Sequence, residues 1–397
     1  MLHLARSFTQ LGRRVDLLLF RNEGPYADSV PESVQVFELE SGTDLGGRLL
    51  AARADPAGIG VLLKPVLLPL KVDSSIRHIN ALKRYLDSQQ PDIVISALTY
   101  TNLVALWAKK LSRAQTPVVV SERIALSVHR QNEARRHRWC WRWQYVLPMV
   151  RRTYQFAGGI VAVSDGVAND LVANAYIDRN AITTIYNPVV DNTISELAAE
   201  PLKHSWFGPG QPPVILGVGR LTPQKDFQTL LRAFARVRGE RNIRLLILGE
   251  GRQRAELAAL AQELGVAVDV DMPGFVDNPY QYMARASVFA LTSLYEGLPG
   301  ALIQALACGC PVVSTDCPGG SAEILEGEKY GRLVPVQHDS KLADAICSTL
   351  DSPPDREQLK ARAAVFSTEQ ATTNYLNLID NMTLHTKPES SLTREHS

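Results

Sequence analysis

Two short segments in the second half of the chain combine glycines, cations and a carboxylate in an order that suits a phosphorylated ligand. The first, GVGRLTPQKD at residues 217–226, follows an apolar run and indicates a strand that ends in a tight glycine turn. Glycine lets the backbone approach a ligand closely, and Arg220 and Lys225 can neutralise a diphosphate without a metal. The second, YEGLP at residues 295–299, places one carboxylate, Glu296, in another strand-to-helix loop. A nucleotide-sugar site requires such an anion-binding turn and a lone acid at neighbouring strand ends.

Three further segments accompany these two, and together the five resemble the family 4 glycosyltransferases, which are retaining enzymes of the GT-B fold. The matching segments are GRLTPQKD (219–226), GEG (249–251), GFVDN (274–278), YEGLP (295–299) and ACGCPVV (307–313). Their order and spacing agree with that family from about residue 213 to residue 335. Each segment is weak evidence alone, whereas five in register are specific. The N-terminal half agrees in outline only.

The resemblance implies roles for the charged residues of the two leading segments. Arg220 and Lys225 would bind the diphosphate of a nucleotide-sugar donor and stabilise the negative charge that grows as it leaves. Glu296 would contact the donor sugar near the reacting carbon. The alternative for Arg220 and Lys225 is that they are surface cations at the start of a helix, a position that the helix dipole disfavours. The alternative for Glu296 is a carboxylate near a helix N-terminus, which the dipole stabilises.

Further residues are implied to bind the substrates. On the donor side they are Gly219, Glu250, Phe275, Val276, Gly297, Leu298, Gly300, Ala301 and Gln304. Backbone N–H groups beside Pro299 would bind phosphate oxygens, and Phe275 and Val276 would face the base, with core packing as their alternative. Gln304 departs from the family, which has a second acid there for the ribose hydroxyls, so we expect weaker nucleotide binding. In the first half, Glu122 and Arg123 end a predicted strand and are substrate-binding candidates.

Apolar strand-like runs alternate with amphipathic helical stretches along the chain, which is typical of parallel α/β domains. We expect two Rossmann-like, doubly wound domains that face a cleft. The expected parts are 1–189 (acceptor-binding domain), 190–212 (linker), 213–355 (nucleotide-sugar-binding domain), 356–384 (a terminal helix that crosses back to the first domain) and 385–397 (a disordered tail). The strands expected to carry the site are 214–218, 244–248, 268–272 and 288–291.

The first domain is expected to lack its first strand. A doubly wound domain opens with a strand and a glycine-rich loop, whereas residues 2–8 already have the pattern of an amphipathic helix that leads into the next strand at Val15. We expect an upstream in-frame segment to supply the missing strand. The alternative is a damaged domain.

Composition excludes several classes of protein. The 397 residues suffice for two domains with ample cores, and no apolar run reaches the roughly 20 residues of a transmembrane helix. No signal peptide is visible. The five cysteines are odd in number, and Cys308 and Cys310 have no second pair at zinc-ligand spacing. We therefore expect core thiols in a reducing cytoplasm, with no metal and no cofactor.

Charge is distributed unevenly along the chain. Lys and Arg exceed Asp and Glu in residues 1–187, and the reverse holds in residues 188–397, although the net charge is +1. A helix near Arg138–Arg152 would place Trp141 and Tyr145 on a cationic face, which favours a peripheral membrane contact. A solvated face is the alternative. No nucleic-acid-binding signature accompanies this helix, so we expect no nucleic-acid partner.

The resemblance therefore predicts a metal-independent retaining glycosyltransferase. It would transfer a hexosyl or N-acetylhexosaminyl group from a nucleotide-diphosphate sugar, with a UDP-sugar favoured, to an oligosaccharide or lipid-linked acceptor. The setting would be cell-surface polysaccharide or glycolipid synthesis, in the cytoplasm or peripherally on the inner face of the membrane. Because of Gln304 and the absent first strand, the alternative is a catalytically impaired relative that acts as a binding subunit. A nicotinamide dehydrogenase is excluded, since Thr222 stands where its turn needs a third glycine.

Overall fold

The chain folds into two α/β units. The structure is a computed structural model that describes residues 1–23, 30–69, 72–128, 130 and 145–386. Unit 1 comprises Met1–Val163, Ala168–Ile185 and Glu369–Ser397, and unit 2 comprises Ser164–Val167 and Tyr186–Thr368. Each unit has its own parallel strands, as the alternating sequence pattern predicts.

The described strands of unit 1 form two parallel sheets. Their bounds are β1 Asp16–Leu19, β2 Gln35–Glu38, β3 Val94–Ala97, β4 Val118–Glu122, β5 Gly159–Ala162 and β6 Ile182–Thr184. β1 pairs with β2, and β3 to β6 pair in sequential order. Every residue of β4 is buried, which its apolar, β-branched sequence favours in a strand covered on both faces.

Helices flank these strands. The first described helices of unit 1 are α1 Leu2–Gln10, α2 Asp44–Ala54, α3 Ile59–Leu62, α4 Ile79–Gln89, α5 Thr99–Leu111 and α6 Val146–Tyr154. The next helix, α7 Asp165–Ala175, belongs to unit 2 up to Val167 and to unit 1 from Ala168. α3 continues into a π-helical turn at Leu63–Leu67, and a 3-10 turn at Ser74–His78 precedes α4. α5 is the most deeply buried of these, with Trp107 inaccessible to solvent. The sequence analysis did not predict α2 or α3.

Unit 2 is built on a six-stranded parallel sheet. Its strands are β7 Val214–Val218, β8 Arg244–Leu248, β9 Val270–Gly274, β10 Val288–Leu291, β11 Val312–Thr315 and β12 Arg332–Val334. Their order in the sheet is β12-β11-β10-β7-β8-β9. The connection direction therefore reverses between β7 and β10, and a doubly wound sheet has its ligand crevice at the carboxyl ends of strands at such a reversal.

The described helices that follow are α8 Thr193–Ala199, α9 Phe227–Glu240, α10 Arg254–Glu263, α11 Tyr280–Met283, α12 Gly300–Ala307, α13 Ser321–Leu325, α14 Asp339–Asp351, α15 Arg356–Ala363 and α16 Thr368–Thr386. α9 and α14 pack on one face of the sheet, where Phe234 and Ile346 belong to a shared hydrophobic cluster. Among the residues that the structure describes, no helix is both long and apolar enough to cross a membrane.

Two predicted segments contain more structure than expected. The linker region 190–212 includes α8 and a 3-10 turn at Ser205–Phe207. The stretch 356–384 is not one helix, because a 3-10 turn at Ala364–Phe366 separates α15 from α16. Phe366 in this turn is fully buried, and its carbonyl accepts hydrogen bonds from Val189 and Val190 N–H at 3.1 Å each, which a continuous helix would not allow.

Two other predictions fall on residues that are not described. The aromatic and cationic face near Arg138–Arg152 depends on residues 131–144, which lie outside the described residues, and α6 is the described remainder of that helix. The tail predicted from residue 385 likewise lies outside them from residue 387 onward.

Candidate functional site

The turns at the carboxyl ends of β7, β8 and β9 are hydrogen-bonded to one another. Gly249 N–H donates to the Gly274 carbonyl at 2.8 Å, and Leu221 N–H donates to the Glu250 carbonyl at 2.9 Å. Gly249 has φ +136°, and a Cβ there would lie 2.0 Å from the Gly219 carbonyl oxygen. Only glycine fits this position. The three turns therefore form one closely packed backbone layer.

Lys225 and Glu296 form an ion pair at the centre of this edge of the sheet. Lys225 Nζ lies 2.5 Å from Glu296 Oε1, and both side chains are largely buried. Ser293 Oγ donates to the same carboxylate oxygen at 2.6 Å. A Cβ on Gly219 would lie 3.2 Å from Lys225 Cε, so the glycine leaves space for the lysine side chain. The structure thus brings together two residues that the sequence analysis assigned to one site from separate segments.

Backbone and side-chain hydrogen bonds join the loops that carry this ion pair. Thr292 Oγ1 donates to the Lys225 carbonyl at 2.8 Å, and Gln224 Nε2 donates to the Tyr295 carbonyl at 3.0 Å. Leu294 N–H donates to the Gln224 carbonyl at 2.8 Å. Because β7 and β10 are neighbours in the sheet, these contacts fix the position of the acid relative to the cation.

A second layer of close backbone contacts supports the Glu296 loop. Glu296 N–H donates to the Pro318 carbonyl at 3.0 Å, and a Cβ on Gly319 would lie 2.2 Å from the Glu296 carbonyl oxygen. Ser164, which is fully buried, donates from Oγ to the Gly297 carbonyl at 2.9 Å. Ser164 is not predicted from the sequence, because nothing in its local pattern distinguishes it from an ordinary helix cap.

Arg220 and the start of α12 lie at the accessible side of this region. The Arg220 side chain is exposed at the end of β7. Gly300 and Ala301 open α12, and N–H groups in the first turn of a helix have no carbonyl partner within that helix. Leu298 is buried, and its Cδ1 would lie 2.8 Å from a Cβ on Gly320, so its side chain packs inside unit 2. Any contact of Leu298 with a ligand would involve its backbone.

Gln304 has a side-chain partner that the sequence did not indicate. Its Nε2 donates to the Tyr280 hydroxyl oxygen at 3.1 Å. Tyr280 begins α11, which packs against α12. An acid at position 304 would accept a hydrogen bond from this hydroxyl, whereas Gln304 donates a hydrogen bond to it.

The remaining donor-side candidates lie beyond β8 and β9. Glu250 accepts hydrogen bonds from Arg254 at 2.6 and 3.0 Å, which hold the pKa of Glu250 below its usual value. Arg254 also donates to the Met272 carbonyl at 2.9 Å and so connects the two turns. Phe275 is exposed and Val276 is partly buried. Core packing therefore does not account for the Phe275 side chain.

Glu122 and Arg123 belong to unit 1, and the Glu122 carboxyl group is enclosed by that unit's own side chains. Thr99 Oγ1 donates to Glu122 Oε2 at 3.0 Å, and the Tyr154 hydroxyl and Asn102 amide donate to Oε1. Burial raises the pKa of Glu122 to about 7. Arg123 is also largely buried, and desolvation lowers the pKa of its guanidinium. Sequence reasoning placed both residues at a strand end and could not foresee this enclosure.

The described cysteines are thiols of unit 2. Cys308, Cys310 and Cys317 are buried, and burial raises their pKa values to about 12, about 12 and about 11. Cys347 is partly buried. Within the part of the chain that the structure describes, no group of three His, Cys, Asp or Glu residues could hold a metal ion.

Two protein-family models match the chain. The model described as "Glycosyl transferases group 1" matches residues 200–365, which contain the ion pair, and the model described as "Glycosyltransferase Family 4" matches residues 1–192. The first match ends at residue 192 and the second begins at residue 200, shortly before β7, the first strand of the unit 2 sheet, begins at Val214.

Curated relatives match over part of their length. A Campylobacter jejuni protein named N-acetylgalactosamine-N,N'-diacetylbacillosaminyl-diphospho-undecaprenol 4-alpha-N-acetylgalactosaminyltransferase is 35% identical over 217 residues, or 54% of this chain and 57% of the relative. The lipopolysaccharide 1,6-galactosyltransferase of Escherichia coli is 28% identical over 263 residues, or 65% of each chain. This chain thus spans less than two thirds of these relatives' lengths.

Solved structures share the fold over nearly the whole chain. A sucrose-phosphate synthase from Thermosynechococcus elongatus has a TM-score of 0.75 at 19% identity, with 96% of this chain and 92% of that chain covered. A lipopolysaccharide outer core galactosyltransferase has a TM-score of 0.68 at 19% identity, with 95% and 93% covered. An Anabaena protein solved with UDP and glucose has a TM-score of 0.65 at 18% identity, with 97% and 95% covered. The fold is GT-B.

The enclosed acid of unit 1 gives a prediction about the pH dependence of stability. The folded-state pKa of Glu122, about 7, exceeds its ordinary value of 4.5, so the native state binds this proton more tightly than the unfolded state does. The free energy of unfolding should therefore fall as pH rises from 4.5 through 7. Glu122→Gln should remove this loss, which amounts to at most about 3 kcal/mol.

Urea unfolding of the wild type and the variant on either side of this pH window measures the difference. Glu263→Gln, which changes an exposed acid, should keep the wild-type pH dependence. If the free energy of unfolding varied with pH in the same way for the wild type and for Glu122→Gln, the Glu122 carboxyl group would not bind its proton more tightly in the folded state than in the unfolded state.

Proposed function

We propose that this chain, which belongs to the family 4, group 1 glycosyltransferases, transfers a sugar from a nucleotide-diphosphate sugar to an oligosaccharide or lipid-linked acceptor. The reaction would retain the anomeric configuration, require no divalent metal, and serve cell-surface polysaccharide or glycolipid synthesis. The observation that carries this proposal is the ion pair between Lys225 and Glu296, held between the ends of two neighbouring strands with Arg220 exposed beside it.

The cations of this site suit a diphosphate. Arg220 can make two parallel hydrogen bonds to phosphate oxygens, and Lys225 supplies a flexible point charge. The first N–H groups of α12, from Gly300 and Ala301, add a positive helix end to the same region. Negative charge grows on the diphosphate as the bond to the sugar breaks, so groups that already point at it lower the barrier. These groups can supply that stabilisation without a metal ion.

The ion pair also gives Glu296 a role that depends on donor binding. Without donor, Lys225 Nζ neutralises the Glu296 carboxylate at 2.5 Å. A diphosphate competes for the ammonium group, and the carboxylate then accepts hydrogen bonds from sugar hydroxyls while Ser293 continues to donate to Oε1. In this proposal the donor exchanges one ion pair for another, so Lys225, whose side chain is 17% exposed, is already largely desolvated before the donor binds.

The names of the relatives support the choice of substrates. The Campylobacter relative is named for transfer of N-acetylgalactosamine to a diphospho-undecaprenol-linked sugar, and the Escherichia coli relative for transfer of galactose to lipopolysaccharide. The Anabaena structure was solved with UDP. For this chain we infer a UDP-hexose or UDP-N-acetylhexosamine donor and a lipid-linked or oligosaccharide acceptor.

Such an acceptor places the reaction at the cytoplasmic face of a membrane. The helix near Arg138–Arg152 is proposed to contact that membrane. Its described part, α6, has Arg151 and Arg152 in its last turn, of which Arg152 is paired with Asp55 at 2.8 Å. The impaired binding subunit is the weaker alternative, because Arg220, Lys225 and Glu296 are all retained and two of them are already paired.

Loss of either cation should abolish transfer. Arg220→Ala should leave unit 2 as stable as the wild type, whereas Lys225→Ala also leaves Glu296 unpaired and should lower the unfolding temperature. Arg220→Ala and Lys225→Ala should each reduce turnover by about 100-fold or more, which corresponds to roughly 2–4 kcal/mol of lost diphosphate stabilisation. The assay measures release of UDP from a panel of UDP-hexoses and UDP-N-acetylhexosamines, with and without EDTA. Lys341→Ala, which removes an exposed cation elsewhere on unit 2, is the matched control.

Full activity in either variant would contradict this function for the two cations. Inactivation by EDTA that magnesium reverses would contradict metal independence. Thermal unfolding of each variant separates lost chemistry from lost fold, and Arg220→Ala is the more decisive of the two because that side chain is exposed.

Restoring an acid at position 304 should tighten nucleotide binding. The carboxylate of Gln304→Glu would accept a hydrogen bond from the Tyr280 hydroxyl and keep a charged oxygen for the ribose hydroxyls, a gain of about 1 kcal/mol. Titration calorimetry with UDP measures the affinity, and turnover should change little. Tyr280→Phe in the same background tests whether the tyrosine orients the new carboxylate. Unchanged or weaker UDP affinity in Gln304→Glu would place residue 304 outside the nucleotide site.

A further inference from the structure

A surface cavity of about 370 Å³ lies in unit 1 between α3, α6 and the end of α7. Its floor is apolar and comes from Val61, Leu147 and Ala175, while Arg151 and Tyr176 line its rim. Both rim residues are exposed, Tyr176 to 70%. Sites for small ligands occupy about 300–1,000 Å³ and combine an apolar lining with a few polar groups. This cavity therefore has the size and composition of a small-ligand site.

Tyr176 occupies a backbone position that favours glycine. It follows Ala175, the last residue of α7, with φ +54°, in the left-handed region that residues with a Cβ seldom adopt. Its neighbours Ala175 and Ile177 are buried, and Ile177 N–H donates to the Leu171 carbonyl at 3.4 Å, so the turn holds the Tyr176 ring outward. An exposed aromatic ring on a strained backbone has two costs to stability, which points to a role outside folding.

Arg151 supplies a cation that forms no ion pair with any acid among the residues that the structure describes. Its guanidinium carbon lies 5.3 Å from the centre of the Tyr176 ring, in a cation–π contact at the rim of the cavity. The next residue, Arg152, is by contrast paired with the buried Asp55 through two hydrogen bonds of 2.8 Å each. The Arg151 guanidinium is therefore available to an anionic ligand, and it can bind a carboxylate through two parallel hydrogen bonds.

Two amide side chains add polar groups to the lining. Asn174 Nδ2 donates to Asp170 Oδ1 at 3.0 Å, which orients the amide and leaves its oxygen as an acceptor towards a ligand. Gln155 follows α6 and is exposed, so its amide can donate and accept. Amides beside a cation suit a ligand with hydroxyl groups and one anionic group. The apolar floor and the Tyr176 ring suit a ligand that also has a C–H face.

The cavity lies at the edge of the β3–β6 sheet where the strands begin. α6 ends at Tyr154, before β5 begins at Gly159, and α7 ends at Ala175, before β6 begins at Ile182. Because each helix returns the chain to the start of the next parallel strand, the helix ends lie at that edge. Glu122 ends β4 at the opposite edge. The cavity is therefore separate from the strand end at which the sequence analysis placed the substrate-binding candidates of unit 1.

We propose that this cavity binds a carboxylate-bearing sugar, a hexuronate unit of a glycan. The Arg151 guanidinium binds the carboxylate, the Gln155 and Asn174 amides bind hydroxyl groups, and Tyr176 packs on the C–H face of the ring. One cation without an acidic partner balances the single charge of a carboxylate, whereas a phosphate monoester carries nearly two charges at neutral pH. The proposal goes beyond the proposed function, because the cavity contains none of the residues assigned to donor binding or transfer. It takes from that function only the expectation that a glycan is present.

A matched pair of probes, methyl glucuronide and methyl glucoside, tests the charge. Saturation-transfer NMR titrations of the full chain measure both affinities. The wild type should bind the glucuronide about tenfold or more tightly than the glucoside, because only the glucuronide carries a carboxylate. Arg151→Gln should bind the two probes alike. Arg113→Gln, which removes an exposed cation elsewhere in unit 1, is the matched control and should keep the wild-type preference.

Tyr176→Gly separates binding from folding. Glycine adopts a positive φ without strain, and a side chain that is 70% exposed contributes little packing, so the variant should unfold close to the wild-type temperature. It should nevertheless bind the glucuronide about tenfold or more weakly, because the ring that covers the sugar is gone. Thermal unfolding and the same NMR titration measure the two effects. A role of Tyr176 in the turn alone would leave the affinity for the glucuronide unchanged.

Three results would overturn the proposal. They are a wild type that fails to prefer the glucuronide, a Tyr176→Gly variant that binds it as the wild type does, and displacement of the glucuronide by equimolar inorganic phosphate, which would show a general anion site. UDP release from a soluble donor is measured in parallel. Release without glucuronide binding would reject the cavity site alone, and glucuronide binding without release would reject the proposed function alone.

Discussion

The ion pair between Lys225 and Glu296 is the interaction on which the candidate site depends. It joins loops from β7 and β10, the two neighbouring strands at which the order of the sheet reverses. Two glycines make this contact sterically possible. Gly219 leaves space for the Lys225 side chain, and Gly319 allows a second turn to pack against the Glu296 loop. A largely buried cation and acid stabilise each other only while both are present, since removal of one leaves an unpaired charge. Each residue of the pair therefore needs the other, or a ligand that replaces it, to balance its charge.

The sequence predicted this part of the molecule well for a physical reason. Short apolar runs specify the strands, and the glycine turns after β7 and β8 mark their carboxyl ends. β7, β8 and β10 have the predicted bounds. β9 lies two residues further on than predicted, because a 3-10 turn occupies Ala267–Asp269. Because β7 and β10 are neighbours in the sheet, the loops after them bring Lys225 and Glu296 together although 71 residues separate them in the sequence. The hydrogen bond from Gln304 to Tyr280 and the contact from Ser164 to Gly297 depend on side-chain directions, which no local pattern encodes.

Unit 1 departs from the usual burial rules in two opposite ways. It encloses the carboxyl group of Glu122 among hydroxyl and amide donors, and it exposes Leu45 and Leu49 of α2 while burying Gly47 and Ala51. A sequence pattern cannot foresee either feature, because α2 has no apolar stripe that distinguishes core from solvent and Glu122 ends an otherwise ordinary strand. Both are costly to stability, and costs of this kind persist in proteins mainly where function requires them.

A crystal structure of the protein with UDP tests the central claim most directly. We expect the diphosphate to lie beside Arg220 and the first N–H groups of α12, and Lys225 Nζ to leave Glu296 and contact a phosphate oxygen. Glu296 would keep its contact with Ser293 and face the position of the sugar. A bound UDP that leaves the 2.5 Å contact between Lys225 and Glu296 intact, with its phosphates away from Arg220, would contradict the account.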